Sequence, residues 1–380
     1  MYQQETTKNN MNKATICPLP FTHIAIRPSG QVYPCCYFRH EHTPTSLNLE
    51  HPDILNHEFL QEIRKDLLDG KEIEGCKQCY QDEKLSNYSM RLLTLEEYTK
   101  RKLIFVPPKE PKLTSIDLAL SNVCNNRCRM CNPELSTNWY PDAKKLGIPI
   151  PKGLIQHNDP LANLDLSQLE YIKLIGGEPL LEQEKFIRFL KRCDLSKLSV
   201  FLTTNMTVLP DDTLLKYLQQ CQSVTIACSI DSYGNLNDFL RKGSKWETVD
   251  NNLRWYIKNF QKVYIHSVAS IYNINYLDKL IDYVKNEFPS VHIKYVMIDG
   301  PDWMQISNLP DKVKEKVKDK IELSKNKEVQ DIKNLIFDQL AINGSFDLFK
   351  EMDQKLNDIR FEHWKDCNQE LYDWLKEFYE

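Results

Sequence analysis

Residues 121–134 read SNVCNNRCRMCNPE and place three cysteines, Cys124, Cys128 and Cys131, within eight positions. A structural zinc site takes four ligands and a disulfide framework an even number, so three suits neither. Three thiolates do suit an iron–sulfur cube held at three corners, with its fourth iron open to another ligand. The stretch directly follows an apolar, β-prone run, TSIDLAL at 114–120. It therefore falls where α/β enzymes keep their chemistry, at the carboxyl end of a strand.

The same rhythm continues down the chain. Further strand-like runs are YIKLIG (171–176), SVFLTTN (199–205), SVTIACSI (223–230), VYIHSVASI (263–271) and VHIKYVMI (291–298). Between the later runs lie LEQEKFIRFLKRC, DDTLLKYLQQC, WETVDNNLRWYIKNF and NYLDKLIDYVKNEF, each with apolar residues at three- and four-residue spacing. Strands alternating with helices predict parallel βαβ units. Six strands rather than eight predict an incomplete barrel or an open sheet. Polar segments recur at the strand ends: GGEPLL (176–181), TTN (203–205), SID (229–231) and YN (272–273). All would converge on one rim.

CNNRCRMC, a C-x3-C-x2-C loop with Met130 before its last cysteine, resembles the signature of the radical S-adenosylmethionine (radical SAM) enzymes. GGEP after the second strand resembles that family's second landmark. The resemblance implies an α/β fold with a partial (β/α)6 barrel. It also implies a [4Fe–4S] cluster on Cys124, Cys128 and Cys131, whose open iron binds the amino and carboxylate groups of S-adenosylmethionine. One-electron cleavage would then give methionine and a 5′-deoxyadenosyl radical that takes a substrate hydrogen atom. In this reading Gly176 and Gly177 let backbone approach the methionine amine, and Glu178 accepts from it. SIDSYGNLNDFLRKG matches a segment whose serine contacts the ribose and whose arginine, twelve residues on, holds the methionine carboxylate; these are Ser229 and Arg241. Asn205 and Asp231 are further candidates. Blander alternatives are a helix cap for Glu178, a surface position for Arg241, and turn positions for Asn205 and Asp231. A zinc knuckle completed by a distant ligand would leave GGEP unexplained.

Residues 1–100 read differently. THIAIRPSGQVYPCC is patterned as a β-hairpin turning at PSG, followed by a helix around NHEFLQEIRKDLLDG and then CKQC. Cys17, Cys35, Cys76 and Cys79 could bind zinc or an iron–sulfur cluster; spacing alone does not separate the two. Cys36 competes with Cys35 for one ligand position. The turn at Gly30, the VYPC after it, the leucine-rich helix with Arg64 and the C-x2-C resemble the auxiliary-cluster extension called SPASM, or its shorter form, twitch. In most family members that extension follows the barrel, and here it precedes it. The resemblance implies a second, auxiliary [4Fe–4S] cluster serving electron transfer. His23, on the alternating strand, reads as structural.

FVPPKEPK (105–112) is patterned as a linker. The expected divisions are an auxiliary domain over 1–100, the barrel over 101–305 and a helical extension over 306–380. In that extension KVKEKVKDK reads as a solvated helix face. FEHWKDCNQELYDWLKEFYE reads as amphipathic helices covering the barrel's open side.

The 380 residues suffice for two or three domains, and a net charge of −4 gives no sign of a nucleic-acid partner. No apolar run approaches the roughly 20 residues that cross a membrane. The opening residues lack the apolar core of a secretion signal, so a reducing, cytoplasmic setting is expected. There Cys193, Cys221, Cys228 and Cys367, each solitary among the twelve cysteines, read as small core residues. The expected activity is radical oxidation, crosslinking or epimerisation of a peptide or protein, with electrons from a flavodoxin- or ferredoxin-type partner. A sugar or cyclitol carbinol is the alternative substrate. A non-catalytic iron–sulfur carrier is the reading from another class, and a carrier has no use for GGEP, Ser229 and Arg241.

Overall fold

Each of the six strand-like runs forms a strand, and all six lie parallel in one sheet. The structure is a computed structural model that describes residues 15–86, 89–151, 161 and 164–379. The first fourteen residues, read above for targeting signals, lie outside the described residues. In chain order the strands are β1 (His23–Ile26), β2 (Val32–Tyr33), β3 (Ser115–Ala119), β4 (Tyr171–Ile175), β5 (Ser199–Thr204), β6 (Ser223–Ser229), β7 (Lys262–Ala269) and β8 (His292–Met297). Their spatial order is β2-β1-β3-β4-β5-β6-β7-β8, and every pair but β1–β2 is parallel. Strands laid down in sequence order, each reached by a crossover in the same sense, give a singly wound, partial α/β barrel.

The alternation along the strands builds two faces. In β4 and β5, Ile172, Leu174, Val200, Leu202 and Thr204 are buried, while Tyr171, Lys173, Ile175, Ser199, Phe201 and Thr203 are half-buried. The buried set packs on the helices Gln183–Leu190 and Asp212–Gln220, and the other set lines the lumen. Register sorts the lumen into rows, because paired residues of parallel strands share a face. One row is Asp117, Lys173, Phe201 and Thr225. Nearer the rim another is Ser229, His266 and Lys294.

One finding departs from the sequence reading. The N-terminal hairpin does not stand apart: β1 pairs with β3 in parallel, His23 opposite Ser115 and Ile26 opposite Leu118, so the barrel sheet gains a seventh parallel strand. All four residues of β1 are buried, as befits a strand covered on both faces. The alternating look of THIAI hid this. His23 is structural, with its Nδ1 2.8 Å from Ser115 Oγ.

Two cores result. The large one runs through the barrel and on into the C-terminal helices, where Phe349, Leu356, Trp364, Leu371 and Leu375 are fully buried. A small one, with Ile16, Cys17, Leu19, Phe21, Phe38, Ile63, Leu67 and Phe105, belongs to the N-terminal unit. The helices Asp311–Leu323, Lys333–Leu340, Phe346–Arg360 and Gln369–Leu375 make up the C-terminal region. In the first of these Val313, Val317 and Ile321 turn inward while most of its lysines and glutamates stay out, as the alternating charge predicted. No helix among the described residues is long and apolar enough to cross a membrane.

Candidate functional site

The cysteine loop leaves β3 and is pinned on all sides by its own backbone. Arg127 N donates to Lys242 O (2.7 Å) and Arg129 N to Leu240 O (2.8 Å), zipping the loop to the segment after β6. Trp139 Nε1 holds the Cys128 carbonyl at 2.7 Å, and Ser136 Oγ holds that of Asn126 at 2.6 Å. Asn126 N donates to Cys124 Sγ at 3.4 Å. Burial pushes all three thiols up, Cys128 to about 11. They therefore carry protons until a metal displaces them. No three His, Cys, Asp or Glu side chains among the described residues converge closely enough for a single metal ion.

The sequence-predicted partners gather around this loop, several of them in roles other than those expected. The glycines of GGEP are needed for packing. A Cβ on Gly177 would lie 2.2 Å from Val123 O, and one on Gly176 (φ +114°) 2.7 Å from Ser121 O. The N–H groups of Gly177 and Glu178 are spent on those same carbonyls, at 3.0 and 2.8 Å. The close approach that glycine permits is thus taken by the cysteine loop itself. Glu178 turns inward, accepting from Leu180 N (3.2 Å), Thr204 Oγ1 (3.0 Å) and Asn205 N (2.7 Å). Burial outweighs those three donors and lifts its carboxyl to about 7. It caps the short helix Pro179–Leu181 and ties β4 to β5.

Asn205 and Arg241 reach the sulfurs. Asn205 Nδ2 lies 3.8 Å from Cys124 Sγ and 2.9 Å from Asn125 Oδ1, while its Oδ1 accepts from Thr207. Arg241 Nη1 lies 4.0 Å from Cys128 Sγ. Its Nε is 2.8 Å from Asp231 Oδ2, an ion pair whose N–H is not aimed along the contact. The other Asp231 oxygen accepts from Val268 N at 2.8 Å. Ser229 ends β6, half-buried at the rim. Asn273, noted in YN, buttresses this corner through Asp231 O and Val268 O, and Tyr272 turns to the C-terminal helices.

This arrangement fits an iron–sulfur cluster with S-adenosylmethionine. Three thiols share one loop, a guanidinium whose ends are available points at them, and Asn126, Ser232 and Asn237 carry buried polar atoms with no partner. Such atoms cost stability unless a ligand satisfies them.

The second constellation lies in the N-terminal unit. Cys17, Cys35, Cys76 and Cys79 line one cavity with Leu19, Pro20, Phe38, Leu67 and Met90. Backbone N–H groups point at the sulfurs: Leu19 at Cys17, Tyr37 at Cys35, Met90 and Arg91 at Cys79. Donors of this kind stabilise thiolate ligands. Cys36 does not line the cavity. It faces the lumen, where its thiol lies against Asp117, and burial first and that carboxylate second push it up to about 12. Arg64 serves the scaffold, donating to Pro20 O and Leu55 O.

Sequence reasoning missed several members. Arg91 is buried against Glu83 and Ile16 O and joins the C-x2-C helix Lys77–Ser86 to the helix Met90–Lys100. His266 and Lys294 face the lumen on strands read only as strands. Arg129 sits in plain view between two of the cysteines. Its charge, set between two candidate cluster ligands, was the available signal.

The family model described as "Radical SAM superfamily" matches residues 118–284, and the model "Iron-sulfur cluster-binding domain" (SPASM) matches residues 17–80. No curated protein matches this chain. Among solved structures, "Native anSMEcpe with bound AdoMet and Cp18Cys peptide" is 16% identical, with a TM-score of 0.37 over 55% of this chain and 59% of that one. Streptococcus suis SuiB bound to S-adenosylmethionine is 13% identical, with a TM-score of 0.36 over 70% and 58%. The match therefore spans little more than half the length of either relative.

Proposed function

Because this chain belongs to the radical SAM superfamily, as an enzyme with an auxiliary iron–sulfur domain ahead of its barrel, we propose that it modifies a peptide or protein held in the barrel lumen. When bound, the reduced cluster and S-adenosylmethionine supply a 5′-deoxyadenosyl radical that removes one hydrogen atom from the substrate. Cys124, Cys128 and Cys131 would hold three irons of the cube. Arg241 offers its fork to the methionine carboxylate and is kept oriented by Asp231. Asn205 ties the end of β5 to the loop, and Ser229 stands at the rim for the ribose. Gly176, Gly177 and Glu178 act one step back by fixing the loop.

Substrate would meet the lumen side chains Asp117, Lys173, Phe201, Tyr264, His266 and Lys294. Burial lowers His266 to about 4. At neutral pH its imidazole is uncharged and can accept a substrate proton at a ring nitrogen. Cys17, Cys35, Cys76 and Cys79 would hold the auxiliary cube at all four corners, which leaves no open iron and suits electron transfer. A flavodoxin- or ferredoxin-type protein would supply the electrons. The peptide class is supported by the auxiliary domain, whose bearers mostly act on peptides and proteins.

The observation that carries this reading is the convergence of Arg241 and Asn205 on the sulfurs of the three-cysteine loop. A purely structural metal site needs neither. The test is anaerobic reconstitution with iron and sulfide, iron counting, and reaction with dithionite and S-adenosylmethionine. About eight irons per chain are expected, falling to about four in a Cys124→Ala/Cys128→Ala/Cys131→Ala variant that forms no 5′-deoxyadenosine. Zinc in place of iron, with no cleavage, would falsify the proposal. Faster 5′-deoxyadenosine formation with cyclitols than with peptides would move the substrate to the carbinol class.

A further inference from the structure

Arg129 is the middle of the cluster loop and is completely buried. Nothing in the loop itself satisfies its guanidinium. Nη1 donates to Tyr272 OH at 3.0 Å and lies 3.4 Å from Asp353 Oδ1; Nη2 donates to Asn357 Oδ1 at 2.5 Å and to Glu362 Oε1 at 3.1 Å. Its charge also lies 3.9 Å over the Phe239 ring and 5.2 Å from that of Tyr272. Three of its four polar partners come from the C-terminal region, beyond the residues matched by the superfamily model.

The same short piece of that region grips the loop at three more points. Asp142 bridges Arg127 of the loop (3.0 Å) and Arg360 of the C-terminal helix (2.8 Å). The Arg360 guanidinium lies 5.0 Å from the ring of Trp139, whose indole N–H holds the Cys128 carbonyl. Lys242, whose carbonyl receives Arg127 N, reaches Arg360 O (3.0 Å) and Glu362 Oε2 (2.6 Å). Asp353 is the hub: besides Arg129, it accepts from Tyr272 OH (2.6 Å), Asn357 Nδ2 (3.0 Å), Trp364 Nε1 (2.9 Å) and Tyr379 OH (2.9 Å). A carboxylate with this many aimed donors is a rigid anchor.

We infer that Arg129 is a positioning residue for the radical SAM cluster, and that the C-terminal segment 353–364 is the clamp that holds the cluster loop through it. A buried arginine stripped of its carboxylates, here Asp353 and Glu362, is strongly destabilising, so the loop loses this conformation once the clamp is broken. None of the residues 353–364 lines the four-cysteine cavity, so the auxiliary site serves as an internal control within the same chain.

The test uses the full chain. In the metal-free protein, deuterium exchange of amides 122–132 in Asp353→Asn should rise by roughly tenfold or more, with peptides from 17–35 and 76–91 unchanged. In the reconstituted enzyme a chelator should remove iron from the three-cysteine site faster by a similar factor and auxiliary iron at the wild-type rate. The EPR signal of the reduced radical SAM cluster should shift alone. Arg129→Lys should recover part of the iron retention that Arg129→Met loses. If Asp353→Asn loosens the whole chain, Glu362→Gln, at the clamp's edge, decides by the same readouts. Wild-type loop exchange and iron release in both Arg129→Met and Glu362→Gln would overturn the inference. The cluster readouts rest on the proposed function, whereas the exchange readout does not; wild-type protein that binds no iron would defeat the former reading and leave this one to be decided by exchange.

Discussion

Gly177 and His266 show how much a single position can decide. At Gly177 the obstacle is space alone, since the Val123 carbonyl occupies the volume a methyl group would need. Gly177→Ala should cost about 1–3 kcal/mol of overpacking strain, measured by chemical denaturation, and should lower iron at the three-cysteine site specifically. His266 makes a different prediction. Burial, helped by the charges of Lys294, Arg241 and Lys173 and opposed by Asp231, takes its pKa from 6.5 to about 4. The unfolded chain takes up this proton below about 6.5 and the folded chain only below about 4. Its contribution is therefore intact above pH 6.5 and is lost as the pH falls through that window. His266→Gln should shrink the stability lost between pH 7.5 and pH 5 by roughly 1–2 kcal/mol, by paired denaturation curves. An identical acid loss in both proteins would show that His266 does not resist protonation.

The hairpin β1–β2 shows what an element can do with adjacent residues. Just past its second strand, Cys35 turns to the four-thiol cavity and Cys36 to the lumen and Asp117. Cys35→Ser should lower auxiliary iron, while Cys36→Ser should leave the iron count unchanged and alter only what happens to substrate. The reverse pattern would exchange the two assignments. From the letters alone, CC after a turn cannot say which side chain faces which way, because that depends on which edge of the barrel receives the strand. The strands themselves were legible, since alternation such as YIKLI is a local property. The six expected runs differ from the observed strands by only a residue or two at their ends. Pairing of β1 with β3 was not legible, because it joins segments about ninety positions apart. The candidate site divides in the same way. Motif letters next to their strands could be picked out as candidates, whereas the contacts of Glu178 and Gly177 depend on carbonyls and N–H groups brought in by other elements.

Across the whole molecule, stability is shared unequally between the two cores. Among the described residues the N-terminal core holds eight buried side chains, three of them phenylalanine, and a metal on its four thiols would help fasten so small a unit. Cys76→Ala/Cys79→Ala should raise protease sensitivity over 35–105 and leave the barrel's thermal transition in place. Simultaneous loss of both would show one cooperative unit. Trp364 belongs to the other core and is fully buried with its indole N–H on Asp353. Trp364→Ala should cost roughly 3–5 kcal/mol and lower the barrel's transition itself.

The clamp on the cluster loop also sets an order in time. Arg129 and Asp353 are 224 residues apart in the chain. At ordinary rates of synthesis, about 5–20 residues per second, the loop leaves the ribosome roughly 10–45 s before the carboxylate that will hold it exists. For that interval the three thiols hang on an unfastened loop, open to iron donors and to oxidants alike. Synthesis of the segment 353–364 closes it.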